Sequence, residues 1–171
     1  MKTNRLTLII LTILIGLVSA KAGDKLEVKW RKFDAGVAEA KKANKKILID
    51  VYTDWCKWCK KLDAEVYTDP KVVEYMNKNF IPIKMNGESK DKVNYKGKSM
   101  MEGELSQGFG VTGFPTIFFL DPNSEPINKL GSFVPADQFL PIIQYIGGDH
   151  YKKISFDEFT KQKGTAEKKK P

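Results

Sequence analysis

Two cysteines stand in this chain, Cys56 and Cys59, with Lys57 and Trp58 between them in the stretch TDWCKWCK. Thiols at this spacing could form half a metal site, a structural staple, or a dithiol that is oxidised and reduced. Structural zinc needs four ligands, usually cysteine and histidine. The chain offers only His150 besides the pair, so no metal is expected. A bridge across two residues closes a very small loop and stabilises less than a long one, which makes it a poor staple. The redox reading fits best. A cysteine in the first turn of a helix faces free N–H groups and the positive end of the helix dipole, which favour the thiolate. Lys57 and Lys60 add positive charge. Cys56 is therefore expected to attack as the exposed nucleophile, and the more buried Cys59 to resolve the mixed disulfide. Resolution needs a base, because a buried thiol resists ionisation. Asp50 ends the apolar run ILID six residues before Cys56. Burial should raise its pKa and suit it to proton transfer.

Elements must position these groups. KILIDVY, Lys46 to Tyr52, is a short β-branched run and reads as a buried strand. Thr53 or Asp54 is expected to cap a helix running through both cysteines to about Tyr67. Before the strand, Phe33, Val37 and Ala40 share one helical face. Asp69-Pro70 starts a further helix, with Asp69 as N-cap and Val72, Val73 and Met76 buried. NFIPIKM, Asn79 to Met85, is a second strand. Residues 87–98 are polar and aperiodic and are expected to form an exposed loop, followed by a short helix over Ser99 to Gly108. GFPTIFFLDPNSEP and INKLGSFV make a hairpin, and Pro135 to Ile146 a helix stopped by Gly147 and Gly148. Alternation of helices and strands followed by a hairpin predicts an α/β fold, a mixed sheet with helices on both faces.

The length suits one domain, over residues 25–148, with a packed helical extension over 149–163 carrying Tyr151, Ile154, Phe156 and Phe159. A disordered basic tail is expected over 164–171. Lysine and arginine outnumber acids 29 to 21, but the excess lies partly at the N-terminus, partly in the tail, and otherwise scattered among acids. No basic stripe with interleaved aromatics suggests nucleic acid. Residues 1–20 have a positive start, an apolar run from Leu6 to Val18, and small residues for cleavage after Ala20 or Ala22. This is the pattern of a secretory signal peptide, with an uncleaved membrane anchor as the alternative. A periplasmic or secreted protein is expected.

ILIDVYTDWCKWCK resembles the active-site segment of the thioredoxin-like family, GVTGFPT (Gly110 to Thr116) its second motif, and IPIKMN its central strand. Together the matches cover most of residues 30–146 in outline. YTDWCKWCKKLDAEVYTDPKV is more similar to the periplasmic C-terminal domain of DsbD and to secreted single-domain relatives than to cytosolic thioredoxin. The resemblance implies a thioredoxin-like fold of about four strands and a redox-active disulfide between Cys56, the nucleophile, and Cys59, the resolving cysteine. It implies Asp50 and Lys84 as the proton-handling pair and Pro115 as a cis-proline facing the dithiol. Trp55, Lys57, Trp58, Phe114 and Pro115 are then the expected substrate-binding residues, the Phe114 backbone pairing with an extended peptide. It implies no cofactor, a monomer, oxidised or mispaired protein partners outside the cytosol, and an upstream dithiol donor, a membrane-bound one among the options. Lys57-Trp58 departs from the Gly-Pro of thioredoxin, and that dipeptide tunes the potential. Reductant or isomerase is the expected role. A dithiol oxidase and a binding module with a static disulfide stand as alternatives.

Overall fold

The computed structural model describes residues 26–168, so the expected signal peptide lies outside the described residues. The chain begins with a polar lead whose Arg31 bridges to Ile83. Helix α1 (Phe33–Ala43) follows, then strand β1 (Lys46–Tyr52), helices α2 (Lys57–Glu65) and α3 (Pro70–Asn79), and strand β2 (Phe80–Asn86). A hairpin of β3 (Lys92–Tyr95) and β4 (Lys98–Met101) leads into α4 (Glu102–Gly108). Strands β5 (Thr116–Leu120) and β6 (Pro126–Gly131) precede α5 (Ala136–Gly147) and α6 (Phe156–Lys168). No helix among the described residues is long and apolar enough to cross a membrane.

The main sheet has the order β2-β1-β5-β6. Strand β1 runs parallel to β2 and antiparallel to β5, and β6 pairs antiparallel with β5. This is the expected mixed four-stranded sheet. Side chains alternate across its faces because a strand has a period of two. Leu48, Ile117 and Phe119 point into a core closed by Leu62 of α2, Val72, Val73 and Met76 of α3, and Phe139, Ile143 and Ile146 of α5. Ile47, Ile49, Val51, Phe118 and Leu120 point the other way, against Phe33 and Ala40 of α1, Leu105 of α4 and Val93 of the hairpin. The alternation puts Asp50 on the same face as Leu48, the face that α2 covers.

Two local expectations are corrected. The stretch expected as a loop over 87–98 contains the β3–β4 hairpin. Lys96 and Gly97 both have positive φ, +52° and +80°, as a tight two-residue hairpin turn requires. Val93 is the one buried side chain of the pair of strands, and Tyr95 donates its hydroxyl to the Ser124 carbonyl at 3.1 Å. A ribbon anchored by so few apolar residues leaves little periodicity to see, and a Lys-Gly turn is a weaker signal than Asn-Gly. The following helix accordingly starts at Glu102 rather than Ser99. Secondly, α6 continues through Gly164 to Lys168, so the tail expected to be disordered from Gly164 is helical up to that point.

The extension packs on α5. Tyr145 meets the rings of Phe156 and Phe159 at 5.3 and 5.4 Å and donates its hydroxyl to the Ile154 carbonyl at 2.7 Å. His150 packs against Phe159 at 4.6 Å, the rings tilted by 37°.

Candidate active site

Cys56 and Cys59 form a disulfide, with Cα atoms 5.3 Å apart. The helix that carries them starts later than expected. Its N-cap is Cys56 itself, neither Thr53 nor Asp54, and it ends at Glu65 rather than near Tyr67. The Cys56 sulfur accepts the backbone N–H of Cys59 at 3.0 Å, the position that a side-chain oxygen takes in an ordinary N-cap. When the bond is reduced, the same N–H and the helix dipole favour a thiolate at Cys56. Both cysteines are buried in the closed form, Cys56 at 3% exposure and Cys59 at 2%. The expected contrast between an exposed first sulfur and a covered second one is therefore absent while the bond is closed, because the bond draws both sulfurs to one place at the start of α2.

The exposure lies instead on the neighbouring indoles. Trp55 is 63% exposed and Trp58 55%. Trp55 meets the Phe114 ring edge-on at 5.8 Å and donates its indole N–H to the Glu88 carboxylate at 3.0 Å. The Phe114–Pro115 peptide is cis, as the resemblance implied. Thr116 donates its hydroxyl to the Gly113 carbonyl at 2.7 Å within the same turn. Gly87 lies against Phe114, where a Cβ would come within 2.5 Å of the ring. Gly87→Ala is therefore expected to push Phe114 off its seat beside Trp55. Overpacking of this kind typically costs about 1–3 kcal/mol. Denaturant unfolding of the oxidised protein reads the loss, and an unchanged midpoint would show that the ring gives way freely.

Beneath α2 lies the acid. Asp50 is wholly buried on β1 and stands directly across from Lys84 in the parallel register with β2. Lys84 Nζ donates to Asp50 Oδ2 at 2.6 Å, while Oδ1 is buried with no hydrogen-bond partner. Burial pushes the Asp50 carboxyl up from 3.8 to about 6, and the Lys84 charge and hydrogen bond offset only part of that. Burial opposes the Lys84 charge in turn, but Asp50 and Asp63 outweigh it and raise its pKa.

Asp63 escaped the sequence reading. Its carboxylate accepts from Lys84 Nζ alongside Asp50. Strand β1, strand β2 and helix α2 are thus joined through one ammonium. The signal was available, since Asp63 follows Cys59 by four residues and so shares its face of the helix. Lys84 also lies 5.0–5.3 Å from the ring centroids of Trp30, Tyr52 and Tyr67. Trp30 and Tyr67 pack edge-on at 4.9 Å. The Tyr67 hydroxyl is buried without a partner, and burial together with the nearby carboxylates holds its pKa well above 10. A cleft of about 540 Å³, lined in part by Trp30, Asp63, Tyr67 and Lys84, brings solvent to this end of the ion-pair group.

No cluster of three or more histidine, cysteine or acidic side chains among the described residues could hold a metal ion. A helix-start disulfide on this sheet, with an acid buried beneath the helix, defines a class: the thiol–disulfide oxidoreductases. The comparisons with known proteins agree. A family model for the thioredoxin-like domain matches residues 33–147, and the chain belongs to that family. It is 32% identical over 112 residues to the thiol:disulfide interchange protein DsbD of Vibrio vulnificus (strain CMCP6), a match covering 64% of this chain and 17% of that protein. The chain thus spans about a sixth of the length of such relatives. A thioredoxin-fold protein from Helicobacter pylori superposes with a TM-score of 0.59 at 24% identity, over 72% of this chain and 82% of that one. The reduced DsbD C-terminal domain of Neisseria meningitidis gives 0.50 at 22% identity, over 68% and 98%. At these identities the two structures show a shared fold.

Proposed function

We propose that this protein exchanges disulfides with protein partners outside the cytosol, acting as a reductant or isomerase through Cys56 and Cys59. The observation that carries the reading is the pair's position, at the start of α2 above a buried carboxylate with one free oxygen. In the forward direction the Cys56 thiolate attacks one sulfur of a partner disulfide. That bond breaks, its second sulfur leaves as a thiolate, and a mixed disulfide forms. Cys59 then loses its proton to Asp50 and attacks the Cys56 sulfur. The partner leaves with both thiols, and the Cys56–Cys59 bond has taken up the oxidation. Lys84 holds Asp50 in place, and Asp63 links Lys84 to solvent, so the proton has a way out. A dithiol donor upstream must return two electrons per cycle.

Relatives named thiol:disulfide interchange protein DsbD support the choice of protein disulfides as substrates. The signal-like pattern of residues 1–20 supports a periplasmic or secreted location. The exposed Trp55, which packs on Phe114, and the exposed Trp58, which packs on Phe133, support peptide binding over the disulfide. The fixed N–H on the Cys56 sulfur favours the thiolate form, which is the property of an oxidant, so the direction has its own test. Insulin-disulfide reduction by the wild-type protein is expected to show turnover with dithiothreitol as donor. No turnover would refute the enzymatic reading in favour of a static disulfide. Equilibration against glutathione then fixes direction. A potential near about −270 mV fits a reductant, and one near about −120 mV an oxidase.

A further inference from the structure

Four large apolar side chains are markedly exposed among the described residues, and two of them, Trp55 and Trp58, each immediately precede a cysteine of the disulfide. Exposed apolar surface gathered at one place marks an interaction site. The two indoles are not equivalent. Trp55 stands with Phe114 and has its N–H engaged by Glu88. Trp58 leans on Phe133 at 5.5 Å, and Lys61 Nζ lies 5.4 and 5.0 Å from the centroids of those two rings. Phe133 comes to this place because Gly131, two residues earlier, pairs with Thr116 next to Pro115. Each indole next to the disulfide therefore belongs to its own aromatic pair.

Charge separates the two sides. Lys57, Lys60 and Lys61 are all exposed on the turns of α2 around Trp58. Lys61 has Glu65 at 3.9 Å, whereas Lys57 and Lys60 enter no ion pair among the described residues. The other acids around the site are occupied or placed elsewhere. Glu88 holds Trp55, Asp63 holds Lys84, and Asp54 lies before the helix beside Trp55. The start of α2 adds the positive end of its dipole on the same side.

We infer that the wall formed by Trp58, Phe133, Lys57 and Lys60 selects partner segments by sequence. Its preferred partner carries a large apolar side chain beside the reactive cysteine and acidic residues next to it. The apolar group lies on the Trp58–Phe133 pair, and the carboxylates lie over the two unpaired lysines. Rim charges of this kind act mainly on the rate of encounter, and they weaken as salt screens them. This selectivity rests on the disulfide-exchange reading above and adds the class of segment that is exchanged.

Synthetic peptides with the same disulfide loop test it, one flanked by Phe and glutamates, one by Phe and glutamines, one by Phe and lysines, and one by Ala and glutamates. Exchange is followed from both sides, with reduced protein and oxidised peptide and with oxidised protein and reduced peptide, so the result does not depend on the protein's potential. The glutamate peptide is expected to exchange about tenfold faster than the lysine peptide at low salt, with the gap closing near molar salt. Lys57→Gln/Lys60→Gln is expected to remove that gap, and Trp58→Ala to remove the advantage of Phe over Ala. Equal rate constants for all four peptides with the wild type would overturn the inference while leaving disulfide exchange standing. Discrimination that survives the double lysine substitution would overturn its assignment to this wall. Absence of exchange with every peptide from both sides would overturn the redox reading itself, and the selectivity with it.

Discussion

Cys56→Ser is expected to abolish insulin-disulfide reduction, by at least about 10³-fold, because the attacking group of the first step is gone and serine's hydroxyl is a far weaker nucleophile at neutral pH. Cys59→Ser is expected to lose turnover as well, but in a different way. Its Cys56 can still attack, and the mixed disulfide then has no internal thiol to release it. The structure supports this order. Cys56 is the N-cap, its sulfur accepts the Cys59 N–H, and Lys57 and Lys60 follow it on exposed turns. Cys59 lies inside the first turn on the face that also carries Asp63. Non-reducing electrophoresis after mixing each variant with an oxidised protein separates the roles. Cys59→Ser should accumulate a covalent adduct that dithiothreitol dissolves, and Cys56→Ser should not. Adducts formed mainly by Cys56→Ser would reverse the two assignments.

Asp50→Asn is expected to make the protein more stable and less active. The carboxyl has a pKa near 3.8 when unfolded and about 6 in the fold. The folded state therefore holds this proton more tightly than the unfolded chain does. The stability associated with that proton is fully present below about pH 4 and is lost as pH rises through about 6. At ~1.36 kcal/mol per pKa unit, the ionised carboxylate lowers stability by about 3 kcal/mol near pH 8. Asparagine removes the ionisation. Lys84 keeps Asp63 as a partner, so the ammonium is not left unpaired. Denaturant unfolding of the oxidised protein should show Asp50→Asn gaining up to about 3 kcal/mol at pH 8, with the gain shrinking towards pH 4. A loss of stability at pH 8 would mean that the Lys84 ion pair outweighs burial. The kinetic counterpart follows from the same proton. In the wild type, release of a mixed disulfide should quicken as pH rises through about 6 and Asp50 becomes free to accept a proton. In Asp50→Asn that rise should vanish and release should be slow near pH 7. An unchanged pH profile would remove Asp50 from proton transfer.

The sequence by itself determined what rests on local pattern. KILIDVY is a buried strand because its apolar residues are mostly β-branched and bounded by polar ones, and Asp69-Pro70 starts a helix because aspartate suits the N-cap and proline the first helical position. The cysteine spacing and the count of possible ligands pointed to redox chemistry before any geometry. Three matched segments pointed to the fold and to a cis bond at Pro115, and the structure has both. Tertiary structure decided what depends on register and on contacts between distant segments. Asp63 became part of the site because the β1–β2 register sets Lys84 opposite Asp50 while α2 crosses above, a meeting of three segments that no short window contains. Glu88 reached Trp55 and Phe133 reached Trp58 for the same reason, across 33 and 75 residues of chain. The β3–β4 hairpin escaped notice because Val93 alone of its side chains is buried. Its strands are fixed by a positive-φ turn and by contacts with α1 and the β5–β6 turn, such as the Asn94 N–H on Asp34 and the Tyr95 hydroxyl on Ser124, and not by a periodic apolar face.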